Sequence, residues 1–171
     1  MAEVVVSDTS PLQYLHQVGC LSLLPSLFGR VLIPPAVDHE IQVGIERGND
    51  LPVLGLSPWV VVEPPREIPA FPVELQIYPG EREALALALE HGCRVLMDDR
   101  DERRAADALG IAYTGTLGVL ISAKRSGLVE AIAPILDRLL ARGYRLSDQV
   151  RRGALELAGE APPVTDCFQV T

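Results

Sequence analysis

Five acidic side chains carry the chemical interest of this sequence. Asp8 closes the apolar run Val4-Val5-Val6-Ser7, the pair Asp98-Asp99 closes Val95-Leu96-Met97, and Glu40 and Glu83 sit within amphipathic stretches. Both runs read as buried strands, and an α/β fold binds ligands at the carboxyl ends of such strands. Carboxylates brought to one sheet edge raise one another's pKa unless a divalent cation binds among them. Oxygen donors without a cysteine or histidine cluster select Mg²⁺ or Mn²⁺ over zinc. His16, His39 and His91 show no HxxxH or HxH spacing, and Cys20, Cys93 and Cys167 form no CxxC pair. A zinc hydrolase and a dithiol redox enzyme are thereby disfavoured.

A plainer role competes at each position. Asp8 precedes Thr9-Ser10-Pro11 and suits a helix cap, while Glu81 and Glu83 fall in a first helical turn, where the macrodipole favours acids. Asp98 and Asp99 suit caps of the helix that follows them. Taken singly, each is as good a cap as a ligand. Adjacent strand residues point to opposite faces, which argues against both Asp98 and Asp99 being direct ligands.

The elements that must position these acids follow from periodicity and punctuation. Strands are expected at 3–7, 31–33, 59–62, 94–97 and 111–113. Helices are expected at 12–19, 21–28, from 35 through 45, and at 81–91, 101–109, 115–126, 131–141 and 147–157, with Gly92 and Gly110 as C-terminal caps. Residues 48–79 are proline-rich and the least regular. Alternating strand and helix predicts a mostly parallel sheet covered on both faces.

With 171 residues, 48% of them hydrophobic, the chain supports one domain with a sizeable core. Its apolar stretches fall short of the roughly 20 residues of a membrane span. No basic segment followed by an apolar signal region opens the sequence, so a cytoplasmic location is expected. A net charge of −8 does not suit a protein that coats nucleic acid, yet a carboxylate cluster neutralised by its own metals is compatible with a nuclease.

Five segments in order resemble PIN-domain proteins: VVSDTSPL (5–12), VLIPPAVDHEI (31–41), GEREALALALEHG (80–92), VLMDDRDERRAADALGI (95–111) and TGTLGVL (114–120). The resemblance is to the prokaryotic subgroup of predicted nucleic-acid-binding proteins, related to VapC-type toxin ribonucleases, and spans roughly residues 4–147. It implies a three-layer α/β/α sandwich with a mostly parallel central sheet, and an acidic cluster that binds Mg²⁺ or Mn²⁺ for hydrolysis of RNA phosphodiester bonds. It places Asp8, Glu40, Glu83 and Asp99 in the catalytic and metal-binding positions, in that order along the chain. Thr9 and Thr116 match small hydroxyl residues near the site, Asp98 takes an outer or capping role, and Arg100 and Arg104 are candidates for contact with the RNA backbone.

VapC-type toxins form homodimers and are silenced by an antitoxin protein, so the same resemblance implies both partners. A PIN-like domain is expected over 1–147, followed by a C-terminal helix and loose tail over 148–171. The alternative function is a non-catalytic PIN-like nucleic-acid-binding or regulatory module. A receiver or haloacid-dehalogenase-like domain also carries strand-end aspartates. However, Asp8 lacks a second aspartate two residues later, and no strand-end lysine is present.

Overall fold

The β-branched run at the start of the chain forms β1 (Val4–Ser7), the middle strand of a five-stranded sheet in a computed structural model that describes residues 3–160. The other strands are β2 (Arg30–Ile33), β3 (Val60–Val62), β4 (Arg94–Leu96) and β5 (Tyr113–Thr114). The order is β3-β2-β1-β4-β5 and every pair is parallel, with Val5 opposite Val31 and Val6 opposite Val95.

Side chains of a strand alternate between faces, so the apolar runs feed two cores. Val5, Val31, Ile33 and Leu96 enter one core, and Val6, Leu32, Val95 and Met97 enter the other. The first core is covered by α1 (Thr9–Gln17), α2 (Leu23–Phe28), α3 (Pro35–Glu46), α6 (Thr116–Arg125), α7 (Ala133–Ala141) and α8 (Asp148–Leu157). The second is covered by α4 (Pro79–His91) and α5 (Arg100–Leu109). The result is the expected α/β/α sandwich, with an all-parallel sheet.

Local chemistry sets the element ends. Gly92 and Gly110 close α4 and α5 in the left-handed conformation, at φ 60° and 67°. The last strand starts later than expected from residue 111, because the Ile111 N–H is engaged by the Ala106 carbonyl at the end of α5. The proline-rich stretch contains a single 3-10 turn (Leu54–Leu56) and β3, and its end is pinned where Leu75 and Ile77 bury in the second core. Cys20 and Cys93 are free thiols, buried and half-buried respectively. Among the described residues no helix is long and apolar enough to cross a membrane. The expected loose tail beyond 160 lies outside the described residues.

Candidate metal centre

From β1 the sheet continues to β2 on one side and to β4 on the other. Such a reversal opens a crevice at the carboxyl ends of the two central strands. Asp8 is the first residue past β1, and its N–H donates to the Leu96 carbonyl at 3.0 Å, which fixes it against the end of β4. It is also the N-terminal flank of α1, and it is 5% exposed.

Two further acids reach this crevice from the helices of the opposite face. The Tyr78 N–H donates to Glu81 Oε2 at 2.7 Å, so a capping interaction with Pro79 in the first turn folds Glu81 back over the start of α4. Glu102 shares a helical stripe with Ala105 and Ala106, and that stripe is the buried face of α5. Carboxylate oxygens of Asp8, Glu81 and Glu102 lie within 4.8 Å of one another. Glu102 is 0% exposed, and neither of its oxygens has a hydrogen-bond partner among the described residues.

Burial dominates the electrostatics. It pushes Asp8 up to about 7, helped by the charges of Glu81 and Glu40 and opposed by the N–H groups of Thr9 and Ser10. It pushes Glu102 up to about 11, with Asp8, Glu81, Asp99 and Asp98 adding to the effect. Glu81 is raised for the same reasons, burial first. An unpaired buried carboxylate is retained by taking up a proton or by facing a cation.

The acids expected from the sequence divide by location. Glu40 lies at the same edge: its Oε2 accepts from Thr9 Oγ1 at 2.8 Å. A Cβ at Gly80 would stand 3.4 Å from Glu40 Oε2 and 3.9 Å from Asp8 Oδ1, so the absent side chain leaves these two acids facing the start of α4. Asp99 Oδ1 accepts from the N–H groups of Asp101 and Glu102, at 2.8 and 3.2 Å, and so caps α5. Its charge still acts on Glu81 and Glu102. Glu83 is outside the Asp8 group, and its Oε2 accepts from the Ala36 N–H at 3.0 Å, across at the first turn of α3.

The remaining candidates have distinct settings. Asp98 accepts from the Thr116 N–H and hydroxyl and from the Tyr144 hydroxyl at 3.0 Å. Burial, then the Asp98 charge, raises the Tyr144 phenol above its ordinary value. Arg100 is exposed, and Arg104 pairs with Asp101 at 3.5 Å. Glu81 and Glu102 are the residues that the sequence reading did not single out for the cluster. The spacing of Glu102, Ala105 and Ala106 is the signal that could have found the second of them.

Three carboxylates delivered by β1, α4 and α5 suit a hard divalent cation. Octahedral Mg²⁺, with bonds of about 2.1 Å, sets neighbouring oxygens about 3 Å apart and opposite ones about 4 Å apart. The separations in the cluster are compatible with this, and the partnerless oxygens of Glu102 are the kind of donor such an ion satisfies.

A PIN domain family model matches residues 4–160. The fold is similar to that of a PilT N-terminus domain protein from the hyperthermophilic archaeon Sulfolobus solfataricus P2, with a TM-score of 0.53 and 21% identity over 70% of this chain and 92% of that one. No curated protein matches the sequence. The parallel sheet, the acids gathered at its switch point and a family match over almost the whole chain agree: this chain belongs to the PIN domain family.

Proposed function

We propose that this protein is a metal-dependent endoribonuclease, with Asp8, Glu81 and Glu102 as its central metal-binding acids and Glu40 and Asp99 at their margin. The observation that carries the reading is Glu102, a fully buried carboxyl with two partnerless oxygens beside two other acids. Keeping two buried carboxylates and a half-buried one together has no structural return unless positive charge joins them. A bound Mg²⁺ or Mn²⁺ supplies an activated water and neutralises charge on the scissile phosphate.

The chain's own groups do the rest. Glu40, steadied by the Thr9 hydroxyl, orients the attacking water from the solvent side. Asp98 holds Thr116 and Tyr144 rather than the cation, and Arg100 contacts the RNA backbone. Glu83 serves by capping α3 and so keeps Glu40 in place on that helix. Clefts border the acids on two sides, one through Thr9, Glu40 and Gly80 and the other through Ser10, Asp98 and Asp99. A site open on both sides suits cleavage within a strand rather than at its end.

The resemblance to VapC-type toxins supports the same biological setting, a cytoplasmic homodimer held in check by an antitoxin. The test of the central claim is RNA hydrolysis with Mg²⁺ or Mn²⁺, measured for the wild type and for Asp8→Asn. Cleavage that needs the metal and is lost in the variant is expected. Equal cleavage in EDTA would remove the mechanism, and metal binding without cleavage of any RNA would favour the non-catalytic module.

A further inference from the structure

The cleft on the Glu40 side is more than an approach to the acids. It is a cavity of about 540 Å³ walled by α1, α3 and the start of α4. That size lies within the range of about 300–1,000 Å³ typical of small-molecule sites. Val43, Gly44 and Leu51 give it an apolar lining, and Gln13 and Asn49 add amides. Tyr78, 64% exposed, stands at the mouth one residue before Pro79. Arg47 also lines the cavity and makes no ion pair among the described residues, in a chain with a net charge of −8.

We propose that this cavity seats the nucleobase of the nucleotide whose phosphate faces the acids. The inference rests on the hydrolytic reading above and adds the place where a base beside the reacting phosphate is held. The exposed ring of Tyr78 offers a stacking face, the apolar lining takes the flat base, and the two amides meet its hydrogen-bonding edge. Arg47 attracts the adjoining phosphate where the carboxylates would otherwise repel it. Thr9, Glu40 and Gly80 are walls of the cavity and neighbours of Asp8, so a base held there brings its own phosphate to the acids.

The test is binding of a short, labelled, single-stranded phosphorothioate RNA in Mg²⁺, followed by anisotropy, with its bases present or replaced by abasic sugars. The wild type is expected to prefer the strand with bases by about tenfold or more. Val43→Trp, which fills the cavity, and Tyr78→Ala and Arg47→Ala, which change exposed side chains, should each lose about tenfold while calorimetric Mn²⁺ binding stays as in the wild type. Unchanged binding in Tyr78→Ala and Arg47→Ala, or equal binding of the abasic strand, overturns the inference even if RNA is cleaved normally. The binding pattern without any cleavage keeps the inference and removes the hydrolytic reading instead.

Discussion

Thr116 donates both its backbone N–H and its hydroxyl to the Asp98 carboxylate, at 2.9 and 2.7 Å. Tyr144, from the turn after α7, donates to the same group at 3.0 Å, and its ring stands edge-on to Tyr14 with centroids 4.9 Å apart. One aspartate thus ties the end of β4 to the start of α6 and to the α7–α8 turn. Asp98→Ala leaves these donors without an acceptor and should destabilise the protein by about 2–4 kcal/mol, against about 1 kcal/mol for Tyr144→Phe. Urea unfolding measures both. If the two variants lose equal stability, Asp98 is not the hub described.

The two glutamates near the start of α4 should separate cleanly. Glu81→Gln is expected to weaken Mn²⁺ binding by an order of magnitude or more, about the effect of losing one carboxylate from a cation site. Glu83→Gln retains an acceptor for the Ala36 N–H and should bind metal normally, whereas Glu83→Ala should lose about 1 kcal/mol of stability. Calorimetry and thermal melting on the three variants distinguish a ligand from a cap. A larger loss of metal affinity in Glu83→Gln than in Glu81→Gln would reverse the assignment.

Without metal, the buried acids make stability fall as pH rises. Asp8 goes from 3.8 to about 7 on folding and Glu102 from 4.5 to about 11, so the native state binds more protons than the unfolded chain. Their full contribution is present below about pH 4 and is lost upward, with the Asp8 share ending near 7 and the Glu102 share continuing towards 11. The slope reaches at most about 1.4 kcal/mol per pH unit per group. Urea melts in EDTA between about pH 5 and about pH 9 should show the decline, and Glu102→Gln should flatten its upper half. A rise in stability over that interval would contradict the burial of these acids.

Metal should reverse that decline by displacing the protons. At about a hundredfold excess over its dissociation constant, Mn²⁺ is expected to add about 2.7 kcal/mol of stability, with none added to Asp8→Asn. Calorimetry in buffers of different ionisation enthalpy should also show protons released on binding at neutral pH. An identical heat in every buffer would mean that the acids are already ionised.

Gly115 offers a test of packing around the Asp98 hub. A Cβ there would lie 2.5 Å from Arg103 Nη2, 2.8 Å from Asp98 Oδ1 and 3.2 Å from the Met97 carbonyl oxygen. The backbone at φ −102° is open to any residue, so the demand for glycine is one of space alone. Gly115→Ala should cost about 1–3 kcal/mol, read as a lowered melting temperature. A melting temperature equal to that of the wild type would show that the carboxylate and guanidinium move aside freely.

Strand ends were legible in the sequence because apolar runs stop abruptly at Asp8 and at Asp98, and the glycine caps marked where α4 and α5 finish. What periodicity could not supply was the roll of each helix against the sheet. Glu81 and Glu83 differ by about 200° around α4, and Ala84, Leu85, Ala86, Leu87 and Ala88 are all buried, so no polar face marks which acid turns to the strands. Glu102 sits in the charged stretch Arg100-Asp101-Glu102-Arg103-Arg104, where an acid reads as solvated until Ala105 and Ala106 are seen to share its stripe. The cap roles of Glu83 and Asp99 depend on neighbours 47 and 2 residues away, and only the second of these is visible locally.

At the far end of the chain, Glu160 accepts from the N–H groups of Ile132 and Ala133 and so seals the start of α7, the helix that leads to Tyr144. Ala154, Leu155 and Ala158 pack the α8 side into the same core as Val5. During synthesis, Asp8 is therefore made well before Glu160, the residue that anchors the helix leading to the wall opposite Asp98. The acid at the end of β1 thus depends, for one wall of its cleft, on a contact made by a residue far downstream of it.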